Sequence, residues 1–181
     1  MSEYKGSFLE STTGARLRTY TCNAGKKTKA VLHINHGMSE HAGRYERFAL
    51  ALAEDGYSAV AHDHRGHGET TAQDAPQATF AKTNGWRKVL ADVHAVNTHA
   101  RETFPDKPIC TFGHSMGATI AAAYVLSHPE KSDAAAIWNG SMTGFLPNLL
   151  AQVLKIERML KGSDVVSTFG DALTFEAWNR E

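Results

Sequence analysis

The most constraining stretch of this chain is the apolar run Ile109-Cys110-Thr111-Phe112, followed at once by Gly113-His114-Ser115-Met116-Gly117. The run is strand-like, and the Ala-rich residues Met116 to Leu126 are helix-like, so the residues between must turn a strand directly into a helix. Glycines on both sides of Ser115 suit such a turn, because its sharpness leaves no room for Cβ atoms. A serine at that point is held above the sheet with its hydroxyl exposed. Ser115 is therefore the candidate nucleophile.

The rest of the chain repeats the alternation that this junction starts. Gly6 to Ser11 and Arg16 to Cys22 read as a peripheral edge hairpin around Thr12-Thr13-Gly14. Ala30 to Asn35 is a third strand that runs straight into His36-Gly37. Arg44 to Asp55 places Tyr45, Phe48, Ala49, Leu52 and Ala53 at helical spacing, with Gly56 as its stop. Ser58 to Ala61 is a short buried strand, and Trp86, Val89, Leu90, Val93, Val96 and Ala100 mark the apolar face of a long helix ending near Pro105. His128-Pro129 closes the helix after Ser115, and Ala134 to Trp138 is a further strand. Strands alternating with helices predict an α/β fold, a mostly parallel sheet with helices on both faces. After Gly140 the pattern changes. Pro147 opens an amphipathic helix through Lys161, with Leu150, Val153, Leu154 and Met159 on one side and Gly162 as its stop. That segment suits a lid over a binding site; the alternative is a packing helix of the core. The expected organisation is a core over residues 1–142 and a partial helical lid over 143–181.

Bulk properties narrow the function. The chain has 181 residues, enough for one sizeable core, and 19 Lys+Arg balance 19 Asp+Glu. A formal charge of zero recommends neither nucleic acid nor an anionic membrane as partner and favours a small-molecule substrate. The first residues lack the apolar region of a secretory signal, and no run approaches the ~20 apolar residues of a membrane span, which points to a cytoplasmic location. Cys22 and Cys110 read as reduced core thiols.

An acylated serine needs donors for the oxygen that becomes negative. In this kind of turn the Met116 N–H supplies one, and the Met38 N–H, in the turn His36-Gly37-Met38 after the third strand, is the expected second. Taken alone, His36-Gly37 is equally a plain turn leaving a strand. A rival signal is His62-Asp63-His64-Arg65-Gly66-His67, whose H-x-H-x-x-H spacing suits metal ligands at His62, His64 and His67. Gly66 stands where a two-metal hydrolase would need Asp, so a glycine-rich turn braced by Asp63 and Arg65 is the better account. His33, His41, His94, His99 and His128 read as structural or surface residues.

Three segments resemble the monoacylglycerol lipase and lysophospholipase branch of the α/β-hydrolases. They are His36-Gly37-Met38-Ser39-Glu40-His41-Ala42-Gly43-Arg44-Tyr45, then Asp63-His64-Arg65-Gly66-His67-Gly68, then Gly113-His114-Ser115-Met116-Gly117, all in the family's order and spacing. The resemblance implies an α/β-hydrolase fold and a Ser115 acyl-enzyme with Met38 and Met116 as oxyanion donors. It implies loop-fixing roles for Glu40, His41, Arg44 and Asp63, carboxylic esters with an acyl chain as substrates, and no metal or organic cofactor. Amide or peptide substrates fit the wider superfamily.

One feature departs from the family, whose acid and histidine follow the nucleophile on later loops. The last histidine, His128, lies at the far end of the helix after Ser115, roughly 15 Å or more away. Asp133, Asp164 and Asp171 precede the position of the family's acid. The chain is therefore expected to be the front part of a longer hydrolase, with its triad acid and histidine after residue 181. On its own it should expose a sheet edge and aggregate or dimerise. Two alternatives remain: a non-catalytic relative that binds acyl ligands or a partner chain, and a metallohydrolase using His62, His64 and His67.

Overall fold

The turn at Gly14, whose φ of 80° favours glycine, closes a hairpin between β1 (Tyr4–Glu10) and β2 (Arg16–Cys22). In the computed structural model, which describes residues 2–140, there follow β3 (Ala30–Asn35), α1 (Glu46–Glu54), β4 (Tyr57–His62), α2 (Gly85–Thr103), β5 (Ile109–His114), α3 (Met116–Ser127) and β6 (Ala134–Trp138). The strands lie in the order β1-β2-β4-β3-β5-β6. β4, β3, β5 and β6 are parallel, while β1 and β2 run antiparallel to their neighbours. This is the expected α/β sheet. The segment 143–181, with its expected lid helix, lies outside the described residues.

Alternation along the central strands sends side chains to two packed faces. Val31 and Val60 join Leu17, Val96, Ala100, Phe104 and Ile109 on one side, and α3 continues it with Ile120 and Tyr124 against Val89 and Val93 of α2. Ile34, Ala59 and Ala61 point the other way, to Ala49 and Ala53 of α1. The small alanines let α1 lie close to the sheet.

Three expectations need correction. The hairpin is not wholly peripheral, because β2 pairs with β4 and buries Leu17, Thr19 and Cys22. Its arginines disguise this: Arg16 and Arg18 stack over Phe8 and Tyr20, with guanidinium carbons 4.0 and 4.8 Å from the respective ring centres. The helix expected from Arg44 begins at Glu46, preceded by a 3₁₀ turn over Ala42–Tyr45. Trp86 is exposed, while Asp92 and Asn97 of the same helix are buried.

Candidate active site

β5 runs two residues beyond its apolar core, to His114, and Ser115 is the single residue between it and α3. Ser115 has φ 54° and ψ −117°, a conformation costing a non-glycine residue about 1–3 kcal/mol. Close packing enforces it. A Cβ on Gly113 would collide with the Gly117 carbonyl, and one on Gly117 with the carbonyls of Asn35 and His36. Both glycines are thus sterically required, and the start of α3 sits directly against the end of β3. The Ser115 N–H donates to the Trp138 carbonyl at 3.0 Å, and its own carbonyl accepts from the Ala118 N–H at 3.0 Å to open the helix.

Across from this elbow, the turn after β3 is held by one carboxylate. Glu40 Oε1 accepts from the Gly37 N–H at 2.6 Å, the Tyr45 hydroxyl at 2.9 Å and His114 Nδ1 at 3.0 Å. Burial alone would raise the Glu40 carboxyl, but these donors outweigh it and hold the group below its ordinary value. Met38 is exposed, and Met116 packs partly into the cluster of Val89, Val93, Ile120 and Tyr124. Neither residue's N–H donates to another described residue.

The loop after β4 is a braced turn. Asp63 accepts from the Ala42 N–H at 2.7 Å and the Glu69 N–H at 2.8 Å, and packs where a Cβ of Gly68 would lie. Gly66 and Gly68 both have positive φ. Arg65, fully buried, donates to Asp92 at 2.8 Å and to the Thr13 hydroxyl at 3.2 Å, while Ser11 and Thr13 donate to the other Asp92 oxygen. The sequence reading missed Asp92. Its place three residues after Val89 and four before Val96 puts it on the buried helix face, which is the signal that could have found it.

The histidines of this region pack as a row rather than a ligand set. His62 and His64 meet with ring centres 4.7 Å apart, His64 and His36 at 4.5 Å, and His36 and His67 at 5.4 Å. Among the described residues no three His, Cys, Asp or Glu side chains converge on a point where a metal ion could sit. The metal reading of His62, His64 and His67 therefore lacks its geometry: the His64 ring packs edge-on against His62 and tilted against His36, and His67 Nδ1 lies 3.1 Å from the Arg65 carbonyl. His36 is fixed as a neutral tautomer, since Nδ1–H donates to the Gly37 carbonyl and Nε2 accepts from the His64 N–H. Burial pushes His36 and His33 down to about 4, and drives His62 and His64 well below the ordinary value.

His128 caps the far end of α3, its ring 5.0 Å from those of Tyr124 and His94. The 12-residue helix separates it from Ser115 by roughly 18 Å. His114, adjacent to Ser115 in sequence, is engaged with Glu40.

This arrangement is that of an α/β-hydrolase. A carboxyl esterase from Bacillus coagulans superposes with a TM-score of 0.74 over 96% of this chain and 56% of its own, at 25% identity. A lipase in its open form gives 0.64 over 72% and 42%, at 29% identity. Residues 26–167 match the family model described as serine aminopeptidase, S33, and the chain belongs to that family. Among curated relatives, mouse monoglyceride lipase is 34% identical over 101 residues, covering 56% of this chain and 31% of its own. The monoacylglycerol lipase of Mycolicibacterium smegmatis is 28% identical over 149 residues, 81% of this chain and 51% of its own. The chain thus spans a third to a half of the length of these relatives.

Proposed function

We propose that these residues form the nucleophile-bearing part of a carboxylic-ester hydrolase of the monoacylglycerol lipase and lysophospholipase kind. Residues 1–142 serve as its core and 143–181 as part of its lid. The Ser115 Oγ attacks the ester carbonyl carbon and the carbonyl π electrons move to oxygen. That oxyanion is received by the Met38 and Met116 N–H groups. Collapse of the intermediate expels the alcohol with a proton, leaving an acyl-Ser115 that water hydrolyses to the carboxylic acid. These proton transfers require an acid and a histidine, a pair that the described residues do not place beside Ser115.

The observation that carries this reading is the strained backbone of Ser115, held at φ 54° between two glycines that admit no side chain. A plain structural turn has no need of a serine there. The test is reaction of the full-length protein carrying this chain with a fluorophosphonate, followed by peptide mass spectrometry, alongside hydrolysis of a monoacylglycerol. Label on Ser115, abolished in Ser115→Ala, is expected. An unlabelled Ser115 in folded protein would favour the acyl-binding or partner-binding alternative.

A further inference from the structure

One proposed oxyanion donor, Met38, sits in the loop after β3 and the other, Met116, is the first residue of α3, and their separation must be held to a fraction of an ångström for both to reach one oxygen. Their own backbones do not link them. Met38 follows β3 and Met116 follows β5, so the strand ladder ends before either residue. Gly117 packs the start of α3 against Asn35 and His36, and beyond that contact a side chain ties the two donor-bearing segments together. Glu40 Oε1 receives the Gly37 N–H, one residue from Met38, and the ring of His114, two residues from Met116. The same oxygen takes the Tyr45 hydroxyl, which anchors it to the turn leading into α1.

From these contacts we infer that Glu40 is a positioning residue, whose single carboxylate oxygen fixes the spacing between the Met38 and Met116 donors. The inference rests on the esterase reading of Ser115. Two features of the contact support the inference. Gly37 makes room for it, since a Cβ there would lie 2.7 Å from Glu40 Oε1 and 3.2 Å from His114 Nδ1. The carboxylate also selects the His114 tautomer, because an ionised acceptor requires the hydrogen on Nδ1. A side chain that only filled space would need neither. Arg44, 3.7 Å from Oε2, partners the other oxygen at the solvent side and leaves Oε1 to Gly37, Tyr45 and His114.

Because Glu40 touches no reacting atom, its loss should weaken transition-state stabilisation and leave ground-state binding alone. In the full-length protein, Glu40→Ala is expected to lower kcat for a monoacylglycerol about 10- to 100-fold, with KM changed less than about threefold. Glu40→Gln keeps an acceptor oxygen without the charge and is expected to lose about three- to tenfold, a partial rescue. A second readout needs no turnover. Nitrogen-15 NMR of His114 should show the Nδ1–H tautomer in the wild type and a shift toward Nε2–H in Glu40→Ala, with circular dichroism confirming the fold.

Unchanged kcat in a folded Glu40→Ala protein overturns the inference while leaving Ser115 as the nucleophile, as does a rise in KM at constant kcat. Should Glu40→Ala fail to fold, a Glu40→Gln kcat within twofold of the wild type overturns it. Absence of both turnover and fluorophosphonate label in the wild type overturns the Ser115 reading itself.

Discussion

Acid should unfold this protein earlier than its carboxylates alone would dictate, because its core holds histidines that cannot charge in place. His33 and His36 are fully buried and pushed down to about 4, against about 6.5 in an unfolded chain. At pH 7.5 both states are neutral at these sites and nothing is lost. Between pH 6.5 and 4 the unfolded chain binds protons that the folded one refuses, so stability falls as pH falls. The full difference is about 3.4 kcal/mol per site, and at pH 5.0 about 2 kcal/mol per site is already gone. Two sites therefore remove about 4 kcal/mol, a large part of a typical 5–15 kcal/mol. His62 and His64 are shifted the same way and add to the loss. Glu40, lowered from 4.5, contributes little above pH 5, which assigns this window to the histidines. Urea unfolding followed by far-ultraviolet circular dichroism measures the effect directly. With a slope near 2 kcal/mol per molar urea, the midpoint should drop by about 2 M or more between pH 7.5 and pH 5.0. Equal midpoints at the two pH values would refute the idea that these rings are buried neutral.

Three substitutions probe the packing around the site. Ser115→Gly relieves the positive-φ strain and is expected to stabilise the fold by about 1 kcal/mol, raising Tm by a few degrees, while abolishing label incorporation; a lower Tm would show that the backbone there is unstrained. Gly117→Ala drives a methyl into the Asn35 and His36 carbonyls and should cost about 3 kcal/mol or leave no folded protein, as read by urea midpoint. Arg65→Met strands the Asp92 carboxylate in the core and is expected to cost about 3–5 kcal/mol, part of which the double variant Arg65→Met, Asp92→Leu should recover. Equal losses in the single and double variants would deny that the pair is coupled.

The strands and helices were legible because each is announced locally. Gly56 at φ 86° stops α1, and the alternation of Val31 with Ile34 and of Val60 with Ala61 declares two buried faces. The elbow was legible for the same reason, since two glycines four residues apart, at 113 and 117, advertise a backbone that tolerates no Cβ. The interior place of β2 was not, because Arg16 and Arg18 lie over aromatic rings and, alternating with the buried Leu17 and Thr19, disguise the inward face.

What the chain conceals are the polar side chains that join distant segments. Glu40 meets His114 across 74 residues, and Asp92 meets Ser11 across 81. No periodicity encodes such pairs: each partner is an ordinary polar residue until the sheet order β4-β3-β5 brings the loop ends together. Glycine and carboxylate here answer different demands. Gly37, Gly113 and Gly117 let three chain segments approach within contact, and any local reading can find them. Glu40 sets how those segments stand once there: the resemblance implies that it fixes a loop, but which segments it joins follows only from the donors that converge on one oxygen.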